Sequence, residues 1–382
     1  CVDSRGADPV PENDSHGQLI YLAMEYYRHT GDRPTLERMW PHVTAAVQYI
    51  DSLRHSRMTP AYQTPESLAF RGLLPQSISH EGYSAKAMHS YWDDFFALKG
   101  LKDAADIAEV LGREKDHARI AGLRDEFRRD LYASIERAMV ARGIDFIPGS
   151  VELGDFDATS TTVAVAPVGE LDHLPKAALR RTFERYWEEF RARRDGTKPW
   201  DAYTPYELRT VGTMLRLGWK DRAHEALDWF LQDRRPSGWR HWAEVVWHER
   251  RTPKFIGDMP HTWVGSDFLR SVLDFFAYER EADSALVVGD GLAENWVMEQ
   301  PGVNVRRLST YFGPLTYSMR GEGDRVAVRI ETGVRVPPGG IVLRSPRVRP
   351  VQRAVLNGQA AQVIESREVV IRQLPAELTL FY

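Results

Sequence analysis

The chain has 382 residues, enough for two or three domains, with 43% hydrophobic residues and a formal net charge of -4. That balance gives no basic surface to argue for nucleic acid, and no apolar run of about 18 residues or more marks a transmembrane helix. The only cysteine, Cys1, excludes an intrachain disulfide and a Cys-x-x-Cys metal site. A chain starting at Cys1 is expected to be processed or part of a longer protein; a signal peptide upstream would make it secreted or periplasmic.

Gly17 to His29 reads as a helix with Leu19, Ile20, Ala23, Tyr26 and Tyr27 on one side. Thr30-Gly31-Asp32 is a turn, and Pro34 opens a second helix that runs to about Leu53. Thr59 to Gly82 is a long loop, a class that tends to be functional inside a compact domain. From Ser90 to Gly112 the spacing of Tyr91, Phe95, Leu98, Leu101 and Ala105 predicts an amphipathic helix, with Asp94 bordering its apolar stripe and Asp93 pointing away. Arg113 to about Ala141 supplies its partner. Phe146 to Asp157 is a second loop, carrying Glu152, Asp155 and Asp157, and Ala158 to Ala166 is a short helix. Pro175 to Arg191 is helical and Thr197 to Pro205 is a loop with Trp200. Tyr206 to Leu217 and Asp221 to Leu231 form a further hairpin around Gly218. Pro236 to Pro260 is a Trp-rich connection, and Thr262 to Glu279 is the last long helix.

The long loops follow the second helix of each pair, so they should open on one face of a helical toroid. After Arg280 the pattern changes to alternation, as in Val326, Val328 and Ile330 or Leu378 and Leu380. Turn signals stand at Pro337-Pro338-Gly339-Gly340 and Asn357-Gly358. The expected division is a helical barrel over 1–283, a linker over 284–302 and an antiparallel β-sandwich over 303–382.

Two adjacent acids, Asp93 and Asp94, stand where a loop becomes a helix, among Tyr91, Trp92, Phe95 and Phe96. Such a pair suits a general acid and its neighbour, and it also suits ordinary helix-start chemistry. A helix N-terminus lowers a carboxyl pKa, whereas a general acid must keep its proton, so burial and like-charge repulsion would have to outweigh the dipole.

Three stretches resemble the six-hairpin glycosidases, the (α/α)6-barrel superfamily of glucoamylases, trehalases and α-L-rhamnosidases. Ser90-Tyr91-Trp92-Asp93-Asp94 resembles the Trp followed by an acidic pair in glucoamylases, which implies that Asp93 protonates the leaving oxygen. Trp242-Ala243-Glu244, with Gly257-Asp258-Met259-Pro260-His261-Thr262-Trp263, is similar to the late segment of rhamnosidase-type enzymes and implies Glu244 as base. Ala243 intervenes here, and the Asn of the family's Asn-His pair is replaced. Leu308 to Tyr317 with Leu374-Pro375-Ala376 is similar to the attached sandwich. A full barrel has twelve helices; nine or ten are readable here.

The resemblance implies an inverting glycosidase acting on an oligo- or polysaccharide, without cofactor or metal. Its two carboxylates would stand roughly 6.5–9.5 Å apart. Asp93 and Asp94 are neighbours and cannot be that opposed pair, so the base lies on another loop: Glu244 first, then Glu249, Asp258 or Glu207. Candidates for sugar contact are Glu81, His89, Trp92, Asp155, Asp157, Trp200, Glu207, Trp242, Asp258, His261 and Trp263. Asp14 and His16 precede the first helix, as either sugar contacts or a cap. Asp157 suits a cap and a ligand equally, and the tryptophans suit stacking or core packing. Two other readings fit the same residues: a polysaccharide lyase using Tyr91 and His89, and a sugar-binding protein whose acids do not converge.

Overall fold

The computed structural model describes residues 12–79, 82–249, 257 and 259–382, and the chain divides into two compact units between residues 195 and 196. Glu81 and Asp258 lie outside the described residues.

The first unit is helical. α1 (Ser15–Thr30) and α2 (Arg33–His55) make the expected hairpin. Gly31 ends α1 at φ 69°, and Asp32 caps α2 by accepting the Thr35 amide at 3.1 Å. α3 (Tyr91–Val110) and α4 (Glu114–Arg142) form the next pair, followed by α5 (Ala158–Val165) and α6 (Lys176–Arg194).

α3 departs from the amphipathic expectation. It is buried on all sides because α1, α2, α4 and α5 all pack on it. Asp93 and Asp94 are therefore both inside, and the stripe does not separate them. Its other buried charges are paired. Lys99 meets Asp103 at 3.0 Å, and Asp103 also receives Arg28 at 2.7 Å. Lys102 donates to Glu170 at 2.7 Å and to the Val168 carbonyl at 2.6 Å. Burial alone would raise Glu170, but the Lys102 charge and the Arg128, Lys102 and Tyr132 donors hold it at about 2.

The second unit opens with β1 (Ala202–Tyr203), which pairs with β2 (Val246–Trp247). α7 (Arg209–Arg216), α8 (Lys220–Asp233) and α9 (Thr262–Asp274) follow in sequence around β2. α9 stops five residues before the expected Glu279. The Phe276 carbonyl is taken by the Gly289 amide and the Tyr317 hydroxyl, both at 3.0 Å, so tertiary partners replace the next helical turn.

The sheets begin earlier than the alternation suggests. β3 (Ala277–Arg280) and β4 (Ala285–Val288) precede α10 (Glu294–Met298), so residues 284–302 are structured rather than a plain linker. β5 (Val303–Leu308), β6 (Leu315–Glu322), β7 (Arg325–Ile330), β8 (Ile341–Arg344), β9 (Arg353–Leu356), β10 (Gln359–Ala361), β11 (Glu368–Ile371) and β12 (Ala376–Phe381) complete the set. One sheet has the order β10-β9-β12-β7-β6-β5 and the other β11-β8-β4-β3, antiparallel except for the β4–β8 pair. Leu286, Val288, Ile341 and Leu343 of the smaller sheet share one core with Tyr317, Met319, Val328 and Leu378 of the larger. Tyr278, Ala285, Val287 and Val342 form a second core on the smaller sheet's other face. β4 is thus buried on both faces, which is why it reads as the unbroken apolar run Ala285-Leu286-Val287-Val288 with no alternation. The Asn357-Gly358 signal is a hairpin turn with φ 49° and 80° between β9 and β10.

The expected class, mainly helical with a β-sandwich at the C-terminal end, is the one observed. Among the described residues no helix is long and apolar enough to cross a membrane.

α1 and α3 touch backbone to backbone at two glycines. A Cβ built on Gly17 would lie 2.0 Å from the Phe96 carbonyl oxygen, and one on Gly100 would lie 2.7 Å from Gly17 Cα. Gly122, in α4, faces open space. Gly17→Ala is expected to destabilise the protein by about 1–3 kcal/mol through overpacking, whereas Gly122→Ala should stabilise it by roughly 0.5–1 kcal/mol. Denaturant unfolding of both variants checks this; equal midpoints would contradict the crossing.

Candidate active site

The first-unit candidates gather at the start of α3. Ser90 occupies the N-cap position without a side-chain cap, and Asp93 and Asp94 in the first turn do not cap either. They point inward. The Ser77 hydroxyl donates to Asp93 Oδ2 at 2.5 Å, and the Leu74 amide donates to Asp94 Oδ1 at 2.9 Å. The second oxygen of each, Asp93 Oδ1 and Asp94 Oδ2, is buried without a hydrogen-bond partner among the described residues.

Burial is the main cause that raises both acids. Asp93 is held well above the usual carboxylate range by burial and then by the Asp14 carboxylate, with the Ser77 hydroxyl opposing. Asp94 is pushed to about 8 by burial, with the Leu74 amide opposing and Glu152 adding repulsion. Burial thus outweighs the helix dipole at both carboxyls, and Asp94 is protonated near neutrality. Trp92 is 2% exposed, and its indole N–H donates to Asp14 Oδ2 at 2.8 Å. It positions that carboxylate and packs edge-on to Phe96 rather than offering a face to solvent.

The loop over residues 146–157 pairs with the approach to α3. Tyr91 N donates to the Gly149 carbonyl at 3.0 Å, and Val151 N donates to the His89 carbonyl at 3.1 Å. Glu152 accepts the His89 amide at 2.9 Å, His89 Nδ1 at 2.7 Å and Gln76 Nε2 at 2.9 Å. Arg57 Nε donates to His89 Nε2 at 3.2 Å, so the neutral tautomer with hydrogen on Nδ1 satisfies both contacts. Burial alone would raise Glu152, but the His89 and Gln76 donors bring it to about 2 and fix it as a carboxylate. Asp155 accepts the Tyr83 hydroxyl at 2.9 Å and the Ser150 hydroxyl at 2.6 Å. Asp157 caps α5 through the Ser160 amide at 2.9 Å. Gly149 admits this arrangement: a Cβ there would lie 2.8 Å from both Asp155 Oδ2 and the Tyr83 hydroxyl.

The second-unit candidates converge separately around Thr204. Its hydroxyl donates to the Glu244 carbonyl at 2.8 Å, and its carbonyl accepts the Glu207 amide at 3.0 Å. The half-buried Glu244 carboxylate lies against Gly257, where a Cβ would sit 1.9 Å from Oε2. The His261 amide donates to the Trp242 carbonyl at 2.9 Å, and His261 Nε2 meets the Tyr206 hydroxyl at 2.5 Å. Arg209 lies over the Tyr206 ring at 4.5 Å and the half-exposed Trp263 ring at 5.5 Å, and it donates to Asp267 at 2.6 Å. Trp242 is buried and tilted against Phe268. Trp200 belongs to another cluster, edge-on to Tyr203 and His248 with Arg235 above it.

Sequence reasoning missed Ser77, Ser79, Arg57, Tyr83 and Tyr206. None has a periodic or motif signal; only the loop context of Ser77 and Ser79 hinted at a role. Among the described residues no group of three or more His, Cys, Asp or Glu side chains is placed to hold a metal ion.

No protein-family model matches the chain, and no curated protein matches it. Solved structures do. An α-L-rhamnosidase from Dictyoglumus thermophilum matches at TM-score 0.55 and 12% identity over 97% of this chain and 40% of that one. An α-L-rhamnosidase from Streptomyces avermitilis, complexed with L-rhamnose, matches at TM-score 0.49 and 13% identity over 93% of this chain and 32% of that one. A GH78-family rhamnosidase of Bacillus sp. GL1 matches at TM-score 0.46 and 11% identity over 85% and 32%. The likeness to the first is one of fold, a helical domain followed by a β domain, and this chain spans well under half of that protein's length.

The raised and lowered carboxyls give opposite pH dependence. Asp94 is protonated in both folded and unfolded chains below about pH 4. Above that the unfolded chain releases the proton first, so stability falls until the folded group ionises at about 8. Glu152, held at about 2, acts the other way and loses its contribution as pH falls from roughly 4.5 toward 2. Unfolding free energy measured from pH 4 to 8 is expected to shift in favour of Asp94→Asn over wild type by a few kcal/mol, at about 1.4 kcal/mol per unit. Parallel curves for the two proteins would contradict a protonated, buried Asp94.

Proposed function

We propose that this protein is a glycoside hydrolase that cleaves with inversion, using Asp93 as general acid and Glu244 as general base. The observation that carries this reading is Asp93 itself, a buried carboxyl whose pKa burial raises well above the usual carboxylate range and whose Oδ1 has no hydrogen bond among the described residues. The fold likeness to an α-L-rhamnosidase, over 97% of this chain and 40% of that one, supports the substrate class. The helical part of the chain would then supply the catalytic barrel, and the strands from β3 onward the attached sandwich.

In this chemistry the Asp93 proton passes to the glycosidic oxygen as the bond from that oxygen to the anomeric carbon breaks. Glu244 takes a proton from water, whose oxygen adds to the opposite face of the sugar. The alcohol leaves neutral and Asp93 is left as a carboxylate. Asp93 is 1% exposed, so the reading entails that substrate entry opens a path to Asp93 Oδ1 while the Ser77 hydroxyl keeps its bond to Oδ2. On this reading Glu152 and Asp155, beside the start of α3, would accept hydrogen bonds from sugar hydroxyls.

A lyase reading has less support. The Tyr91 hydroxyl is engaged with Ser134 at 2.9 Å, and burial pushes it up, the wrong direction for a base. Both His89 ring nitrogens are already bonded.

The test is a screen of aryl glycosides, with an aryl α-L-rhamnopyranoside first. Asp93→Asn and Glu244→Gln are each expected to lower kcat by roughly 10²- to 10⁴-fold while remaining folded, as circular dichroism checks. Proton NMR of the first-formed sugar should show the inverted anomer. Full turnover by folded Asp93→Asn would remove the assignment, and no hydrolysis of any glycoside by wild type would remove the function.

A further inference from the structure

Resting on the reading of Asp93 as the acid, we propose that Ser77 is a positioning residue that confines the Asp93 proton to Oδ1. Ser77 is fully buried, and its backbone is held by a reciprocal bridge with Met88, Ser77 N to the Met88 carbonyl at 2.9 Å and Met88 N to the Ser77 carbonyl at 3.0 Å. The Ser79 amide donates to Ser77 Oγ at 2.9 Å. A serine hydroxyl has one proton, and with that amide filling a lone pair its hydrogen is aimed at Asp93 Oδ2, 2.5 Å away. Ser79 is held to this task in a left-handed backbone, φ 43°, which costs energy in a non-glycine residue, and the Ser90 hydroxyl donates to Ser79 Oγ at 2.9 Å.

An oxygen that accepts the Ser77 bond is not the one that carries the acid proton. A proton on Oδ2 would oppose the Ser77 hydrogen or leave it unpaired in a site closed to water. The proton therefore sits on Oδ1, which has no hydrogen bond among the described residues. The other groups facing Asp93 are the Asp14 carboxylate ahead of α1, Asp94 on its own helix and the Ser79 hydroxyl. The two carboxyls disfavour ionisation of Asp93, so once the proton has left, Ser77 becomes the main donor stabilising the new charge.

The experiment titrates the Asp93 carboxyl C=O band by difference infrared spectroscopy, with Asp93→Asn identifying the band. Loss of a hydrogen bond to a charged group in Ser77→Ala should move the ionisation upward by about one to two pH units, and Ser77→Thr should restore the wild-type position. Ser77→Cys, a weak donor of similar volume, is expected to shift the same way and serves if the alanine variant does not fold. The alkaline limb of kcat/KM should move by the same amount. An unchanged infrared titration in folded Ser77→Ala or Ser77→Cys overturns the inference, even in an active enzyme. An infrared shift in a protein that hydrolyses no glycoside removes the hydrolase reading and leaves the action of Ser77 on Asp93 standing.

Discussion

The burial of α3 on every side is the constraint on which the first unit depends. Four helices can close around it because Gly17 and Gly100 let α1 approach backbone to backbone. Closure on the central helix removes water from its first turn. A carboxylate there has lost its solvent and keeps few donors, so its pKa rises in spite of the helix dipole. Packing far from the acids thus sets their proton state.

The same reasoning explains why residues of one chemical type hold opposite states within this unit. Glu170 and Glu152 are also largely buried, yet both are carboxylates because cationic or N–H donors converge on them. Glu170 has Lys102, Arg128 and Tyr132; Glu152 has His89 and Gln76. Asp93 and Asp94 have a hydroxyl and an amide. The number and charge of donors decide which buried acids ionise, since desolvation acts on all of them in the same sense. A fold can therefore keep proton-bearing and charged carboxyls side by side, which acid and base chemistry requires.

In the second unit, a sheet covered on both faces replaces the buried helix as the element that orders its surroundings. The smaller sheet shares a core with the larger one and carries another on its far side, where Arg216 lies 4.4 Å over the Tyr278 ring and pairs with Asp274 of α9. The loop elements of this unit are tied through backbone groups. The Thr204 carbonyl holds the Glu207 amide, the Thr204 hydroxyl holds the Glu244 carbonyl and the Trp242 carbonyl holds the His261 amide, so these residues are positioned by loop geometry rather than by a motif. Gly257, with φ 68°, is the point where that geometry needs a residue without a side chain.

Helix positions were legible because apolar spacing and turn residues such as Gly31 are local properties: α1 to α4, α6 and α8 lie where the pattern put them, α5 was placed by its helical neighbours, and α7 starts three residues after the expected Tyr206. Alternation likewise located β7 and β12, and Asn357-Gly358 located a hairpin, since those strands keep one face toward solvent. The adjacent acids and their aromatic neighbours were also visible. What the residues could not reveal was decided by contacts distant along the chain. α9 ends early because Gly289 and Tyr317 claim the Phe276 carbonyl, and β4 lacks alternation because both its faces are covered. Ser77 meets Asp93 only because a loop sixteen positions earlier folds back over α3. Local pattern determined which segments are helix or strand; desolvation and hydrogen-bond partners, which exist only once the chain has closed, decided which acids hold a proton.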